Sequence, residues 1–177
     1  GYLLKFPEFG LKVIHLDCAS VNQAPVVVEL KLGETPVRVR QYSLLPEDIR
    51  GVHKHLEWLH KHGIIAKCQS PWNNILLPVR KPSGEYRPVQ DLHMVNKQSD
   101  FASNPYTLLG LLPAEDSWFT CFDLKDSFFS IKLAPESQKL FAFQWEDLGS
   151  GVTTQYTWTQ LPQGFKNSPT IFGEVLA

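Results

Sequence analysis

Apolar residues recur every three or four positions at Ile49, Val52, Leu56 and Leu59, the period of one helix face. Just ahead, Pro46-Glu47-Asp48 supplies a proline and two acids suited to a first turn, and Gly63 follows as a stop. The spacing predicts a helix of roughly 16 residues, a rod of about 24 Å. His53, His55, His60 and His62 share that helix. None of their spacings is the i, i+4 pair that seats zinc on one helix face, so they read as a solvated face, with cations favoured near the helix C-terminus.

Shorter periods govern the rest. Residues 13–42 read as extended, with Val26-Val27-Val28 and the alternating Val37-Arg38-Val39-Arg40. Pro25 and Pro36 make them edge strands or a strap. Ile75 to Val79 runs into Arg80-Lys81, turns at Pro82-Ser83-Gly84 and returns through Tyr86-Arg87-Pro88-Val89, a strand pair. A loop is expected from Asn96 to Pro105, a short helical stretch from Tyr106 to Leu112, and a strand from Trp118 to Leu124. Phe128 to Leu133 reads as extended or mixed. Leu140 to Trp145 alternates, turns over residues 147–151 and returns as Thr153 to Trp158, an aromatic-faced hairpin. Ser168-Pro169 supplies an N-cap and N1 pair for a final helix. These elements suit an α+β fold.

Composition narrows the class. With 43% hydrophobic and 12% aromatic residues, the 177-residue chain has enough for a packed core and is no disordered tail. It contains no run of about 18 apolar residues, so no helical membrane span is expected. Cys18, Cys68 and Cys121 are odd in number and far apart, forming neither a disulfide framework nor a metal pair, which fits a reducing compartment. Formal charge is −1 overall, yet residues 1–114 hold 13 Lys/Arg against 10 Asp/Glu while residues 115–177 hold 4 against 8. That asymmetry would suit a polyanion grip beside an acidic metal centre. The final residues read as a helix still in progress and Gly1 is no initiator, as expected of a piece of a longer polypeptide.

Three groups carry candidate chemistry. Asp123 ends an apolar strand, where an unpaired carboxylate costs several kcal/mol, so it is expected to meet water, a metal or a cation such as Lys125, or to cap the strand end. Asp126 reads as a turn or cap residue. Gln163-Gly164 sits in a loop where glycine permits close backbone approach and the amide can both donate and accept, although such a pair is also an ordinary turn. The basic residues beside the 82–84 turn could hold a phosphate chain or form a solvated hairpin tip.

Three motifs then coincide. Tyr86-Arg87-Pro88-Val89-Gln90-Asp91-Leu92, Phe122-Asp123-Leu124-Lys125-Asp126-Ser127-Phe128-Phe129 and Leu161-Pro162-Gln163-Gly164-Phe165-Lys166-Asn167-Ser168-Pro169 follow the order and spacing of retroviral reverse transcriptases. The chain most resembles the gammaretroviral, murine leukaemia virus-like branch, from about Gln23 to Ala177. The resemblance implies an N-terminal extended segment over 1–42, a fingers subdomain over 43–112 and the start of a palm over 113–177. It implies Asp123 as the first metal-binding aspartate, Phe128 as the aromatic gate against a ribose 2′-hydroxyl, and Lys81 and Arg87 as holders of the incoming triphosphate. Gln163 is implied at the nucleotide and template, and Asp91, Asn96 and Gly164 at the template-primer.

The implied partners are an RNA or DNA template-primer, deoxynucleoside triphosphates and the rest of a Pol polyprotein with a ribonuclease H. The implied cofactor is Mg²⁺ or Mn²⁺, held with aspartates of a downstream Tyr-x-Asp-Asp hairpin absent from these 177 residues. The isolated chain is therefore expected to be inactive, and its location cytoplasmic or virion-associated. The sequence departs from the family pattern at His93, where an arginine is usual, at a shorter 96–105 linker, and at Gly173 in place of an acid. These departures suit an endogenous, decaying copy or a diverged virus. The alternative functions are a non-catalytic nucleic-acid-binding protein or an inactive relic.

Overall fold

Helix α1 spans Pro46–Lys61 and buries Val52, Leu56 and Leu59 against the core, in agreement with the expected period and bounds. Its end is a Schellman motif: Ile64 N donates to the Leu59 carbonyl (2.9 Å) and Gly63 N to that of His60 (3.0 Å). Gly63 supports this turn at φ +69°, in the left-handed region. The computed structural model describes residues 5–6, 9–10, 23–100, 126–147 and 149–176. Asp123, the expected helix at 106–112 and the expected strand at 118–124 lie outside them.

Two short strands, β1 (Lys5–Phe6) and β2 (Phe9–Gly10), pair antiparallel near the start. Strands β3 (Ile65–Lys67), β6 (Phe143–Glu146) and β7 (Thr153–Trp158) form an antiparallel sheet in the order β3-β7-β6. Ile65 faces Trp158 and Phe143 faces Tyr156 in its register. The turn between β6 and β7 is organised by Asp147, whose Oδ1 accepts from Gly149 N (3.1 Å), Ser150 N (2.8 Å) and Ser150 Oγ (2.9 Å). The Ser150 bonds hold its carboxyl below the ordinary range.

Strands β4 (Leu76–Arg80) and β5 (Tyr86–Gln90) make the other expected hairpin. Pro78 faces Pro88 in its register. Neither proline can donate to a ladder, which suits a ribbon of two strands. The segment before α1 is a strap: isolated bridges join Val26 to Leu133, Leu30 to Ser99 and Arg38 to Asn73. Val37 and Val39 are half-buried and the alternating arginines exposed. The Gln41 amide serves as a further strand partner, accepting from Leu76 N (2.8 Å) and donating to the Leu76 carbonyl (3.1 Å).

Two expectations are corrected. Asn96 begins no loop but lies in helix α2 (His93–Gln98). Asp91 Oδ1 accepts from His93 N (2.9 Å), an Asx turn that starts the helix, and Leu92 and Val95 bury its apolar side. Residues 139–141 form a 3-10 turn after helix α3 (Pro135–Gln138), so alternation begins only at Phe143. Leu140, Phe141, Ala142 and Phe143 are all buried. A regular strand would have sent every second one to the opposite face. A further 3-10 turn at Ser127–Ser130 precedes the bridges of Lys132 and Leu133, the mixed structure anticipated. Helix α4 (Ser168–Leu176) starts within a residue of the expected position, but Ser168 lies inside it rather than capping it, its hydroxyl donating to the Pro162 carbonyl (2.9 Å).

One hydrophobic cluster joins these pieces, with Leu59 from α1, Leu76 from β4, Phe143 from β6, Trp158 from β7 and Phe165 before α4. The buried side chain of Gln90 crosses it. Its Nε2 donates to the Phe141 carbonyl (2.8 Å) and its Oε1 accepts from Trp158 Nε1 (2.8 Å). Helix α1 approaches the β4–β5 hairpin closely because residue 51 is glycine. A Cβ there would stand 2.5 Å from Cγ and 2.8 Å from Cε2 of the Tyr86 ring.

Gly63→Ala places a side chain in the left-handed region with nothing within 4 Å to compensate, and is expected to cost about 1–2 kcal/mol in urea denaturation. Gly51→Ala gains about 1 kcal/mol of helix propensity but pushes a methyl into Tyr86, an overpacking cost of about 1–3 kcal/mol. In a Tyr86→Ala background the same change is expected to stabilise. Gln90→Leu strips the Trp158 N–H of its buried acceptor, with an expected loss of about 1–3 kcal/mol for each group left unpaired; an unchanged urea midpoint would contradict this.

Candidate functional site

A cleft of about 590 Å³ opens between α1, the β4–β5 hairpin and the loop before α4. Four of the residues to which the family resemblance assigns a role line it: Lys81, Arg87, Gln163 and Gly164. They come from positions far apart in the chain, brought together by the packing of the hairpin on the core.

Lys81 sits where β4 enters its turn, with its N donating to the Glu85 carbonyl (2.7 Å) and its carbonyl accepting from Gly84 N (2.9 Å). Gly84 takes φ +85°, which closes the turn. The Lys81 ammonium lies 3.3 Å from Glu85 Oε2, both exposed. Such a surface pair contributes little and yields readily to a better anion. Arg87 lies opposite Val79, exposed, and among the described residues makes no ion pair. An exposed guanidinium held on a strand is well suited to phosphate.

The opposite lip is built on Asn96. Its Nδ2 donates to the Gly164 carbonyl (3.0 Å) while its Oδ1 accepts from Lys166 N (2.9 Å). The Asn96 amide is thus occupied in fixing the 163–166 loop. Lys166 Nζ donates to the Ser99 carbonyl (2.7 Å) and Asn167 Nδ2 to the Asp100 carbonyl (2.9 Å), so Asn96 of α2 and the two residues that follow the helix together hold the loop. Burial, then the charge of Lys31, lower the proton affinity of the Lys166 amine. Gly164 adopts φ +91°, and a Cβ there would lie 3.8 Å from the Gln90 carbonyl. This conformation leaves the Gln163 side chain exposed at the cleft, its Nε2 donating weakly to Asp126 Oδ1 (3.4 Å). Asp126 is itself left-handed, at φ +54°.

The other residues stand apart from that lining. Phe128 is half-buried and meets Phe172 of α4 edge-on at 5.8 Å; its neighbour Phe129 lines the cleft, stacked on Trp158 at 5.4 Å. Asp91 is exposed at the start of α2, one carboxylate oxygen engaged in its Asx turn. Asp123 lies outside the described residues. Among those described, no group of three or more His, Cys, Asp or Glu side chains could hold a metal ion. The described residues alone therefore do not constitute a divalent-cation site.

Sequence reasoning passed over one wall of the cleft. Lys54, His55 and Trp58 of α1 line it, although that face reads as merely solvated from the helical period. The available signal was Trp58, a large aromatic residue on the polar side of an amphipathic helix. Gly51 also carried a signal, since an interior helix glycine costs about 1 kcal/mol relative to alanine unless close packing requires it.

The profile of the family described as "Reverse transcriptase (RNA-dependent DNA polymerase)" matches residues 79–177. The chain is also similar to three curated proteins, each named "Gag-Pol polyprotein". It is 52% identical to that of Feline leukemia virus over 180 residues and 52% identical to that of Woolly monkey sarcoma virus over 181 residues. Identity to that of Koala retrovirus is 54% over 181 residues. Each alignment covers 99% of this chain but only 10–11% of the relative, so the chain spans about a tenth of their length. The lips of the cleft, with Lys81, Arg87, Gln163 and Gly164, fall within the matched family segment, and the chain belongs to the reverse transcriptase (RNA-dependent DNA polymerase) family.

Proposed function

We propose that this chain is the nucleotide-gripping segment of an RNA-directed DNA polymerase, with a fingers part over residues 43–112 and the first part of a palm over 113–177. The observation that carries the reading is the convergence of Lys81 and Arg87 from one hairpin with Gln163 and Gly164 from a distant loop on a single cleft. In this reading the two cations bind the triphosphate of an incoming deoxynucleotide, and stabilise the charge that builds on the leaving phosphates. Gln163 presents an amide to the nucleotide and the template base. Asp91, Asn96 and Gly164 face the template-primer, Asn96 chiefly by holding the loop in place. Phe128 acts as the gate under the sugar, a role supported by its place in the motif.

Reverse transcriptases depend on divalent metal, and Asp123 is the residue of this chain proposed to contribute to that site, with Mg²⁺ or Mn²⁺ completed by aspartates downstream. Bound there, the cations would activate the primer hydroxyl and the leaving group. What the described residues contribute is binding and orientation. The parent polypeptide is proposed to be a Gag-Pol-type polyprotein carrying a ribonuclease H, acting in the cytoplasm or the virion. No helix among the described residues is long and apolar enough to cross a membrane.

Titration of the purified chain with a deoxynucleoside triphosphate by calorimetry tests the grip. Removing a charge-assisted contact costs about 1.5–3 kcal/mol, so Arg87→Ala is expected to weaken binding by roughly tenfold or more, with a smaller effect for Lys81→Ala because of its pairing with Glu85. Equal affinities for wild type and Arg87→Ala would remove the cleft from the nucleotide site. The 177-residue chain is expected to bind a template-primer without extending it, and extension abolished by Asp123→Asn would overturn the dependence on downstream carboxylates.

A further inference from the structure

Trp58 is 46% exposed on a helix whose other large apolar residues reach the core. It is nevertheless held in place. The His62 ring lies tilted against the indole with centroids 4.3 Å apart and planes at 31°, and His62 Nδ1 lies 2.7 Å from the Trp58 carbonyl. His55 approaches edge-on at 6.3 Å. A large flat ring is thereby fixed in the wall of the cleft, with little rotamer freedom left to lose on binding.

Its surroundings select the ligand. Lys54 lies one helical turn before it on the same wall, and Lys81 and Arg87 stand on the hairpin, against a single carboxylate of the lining, Asp126. A basic groove that also exposes an aromatic ring is a surface for single-stranded nucleic acid: its positive field attracts the phosphates and the ring stacks a base whatever its identity. We infer that Trp58 is a stacking platform for an unpaired base of the template strand. This rests on the nucleic-acid reading above and extends it to a wall of the cleft that the family motifs do not include.

The test uses the 177-residue chain and two labelled primer-templates, one with an ordinary single-stranded template overhang and one whose overhang is abasic throughout. Fluorescence anisotropy is expected to show the ordinary overhang bound about tenfold more tightly, the size of one base–aromatic stack. Trp58→Ala should bring the two affinities together, Trp58→Phe should preserve most of the difference, and the dependence on salt should be alike in all three proteins because the phosphate contacts are untouched. Equal affinities in the wild type, or a difference that survives Trp58→Ala, overturns the inference while the grip on the duplex stands. An equal loss against both overhangs in Trp58→Ala marks a structural residue and also overturns it. No binding of either nucleic acid by the wild type removes the nucleic-acid reading together with this one.

Discussion

The placement of the cleft depends on one buried amide. Gln90 ends β5, and its side chain bonds the carbonyl of Phe141 and the indole of Trp158, on the two sides of the β6–β7 hairpin. Burying an amide without partners costs several kcal/mol, so the site admits only arrangements in which both bonds form. This condition sets how far β5 slides along the core, and therefore where Arg87, three residues earlier, and Lys81, beyond the turn, meet the loop at Gln163. The Gln90 carbonyl lies beneath Gly164 as well, so the same residue registers both lips.

Around that anchor, polar side chains divide into those that build and those that remain available. Asn96, Lys166 and Asn167 give their hydrogen bonds to backbone groups of the loop and of the end of α2. Arg87 and Gln163 remain at the surface of the cleft. The lip is rigid because the first group is spent, and a rigid lip is what lets a few exposed groups recognise a charged ligand without a large ordering cost. On the other wall Gly51 allows α1 to rest directly on Tyr86, which brings Lys54 and Trp58 within the same cleft as the hairpin cations.

The fit to the reverse transcriptase family sharpens rather than replaces this account. The motifs fall in the segment that matches the family, and within them neighbouring side chains have different surroundings. Gln90, inside one motif, spends its side-chain amide on the Phe141 carbonyl and the Trp158 indole. Phe128 and Phe129 are adjacent in another, yet one packs on α4 and the other stacks on Trp158 in the cleft.

Local period and turn chemistry determined helix α1, the β4–β5 hairpin, the return strand Thr153–Trp158 and the position of α4, because each rests on neighbours a few positions away. The family resemblance singled out Lys81, Arg87, Gln163 and Gly164, which the fold gathers in one cleft. Tertiary structure decided the rest. The 3-10 turn at 139–141 lets four successive residues, Leu140 to Phe143, all enter one core, and α2 took the first residues of an expected loop once Leu92 and Val95 were buried there. Asn96 took its place as a clamp, and Trp58 became a wall of the cleft, through residues roughly 20 to 70 positions distant, a range that helical and strand periods do not encode.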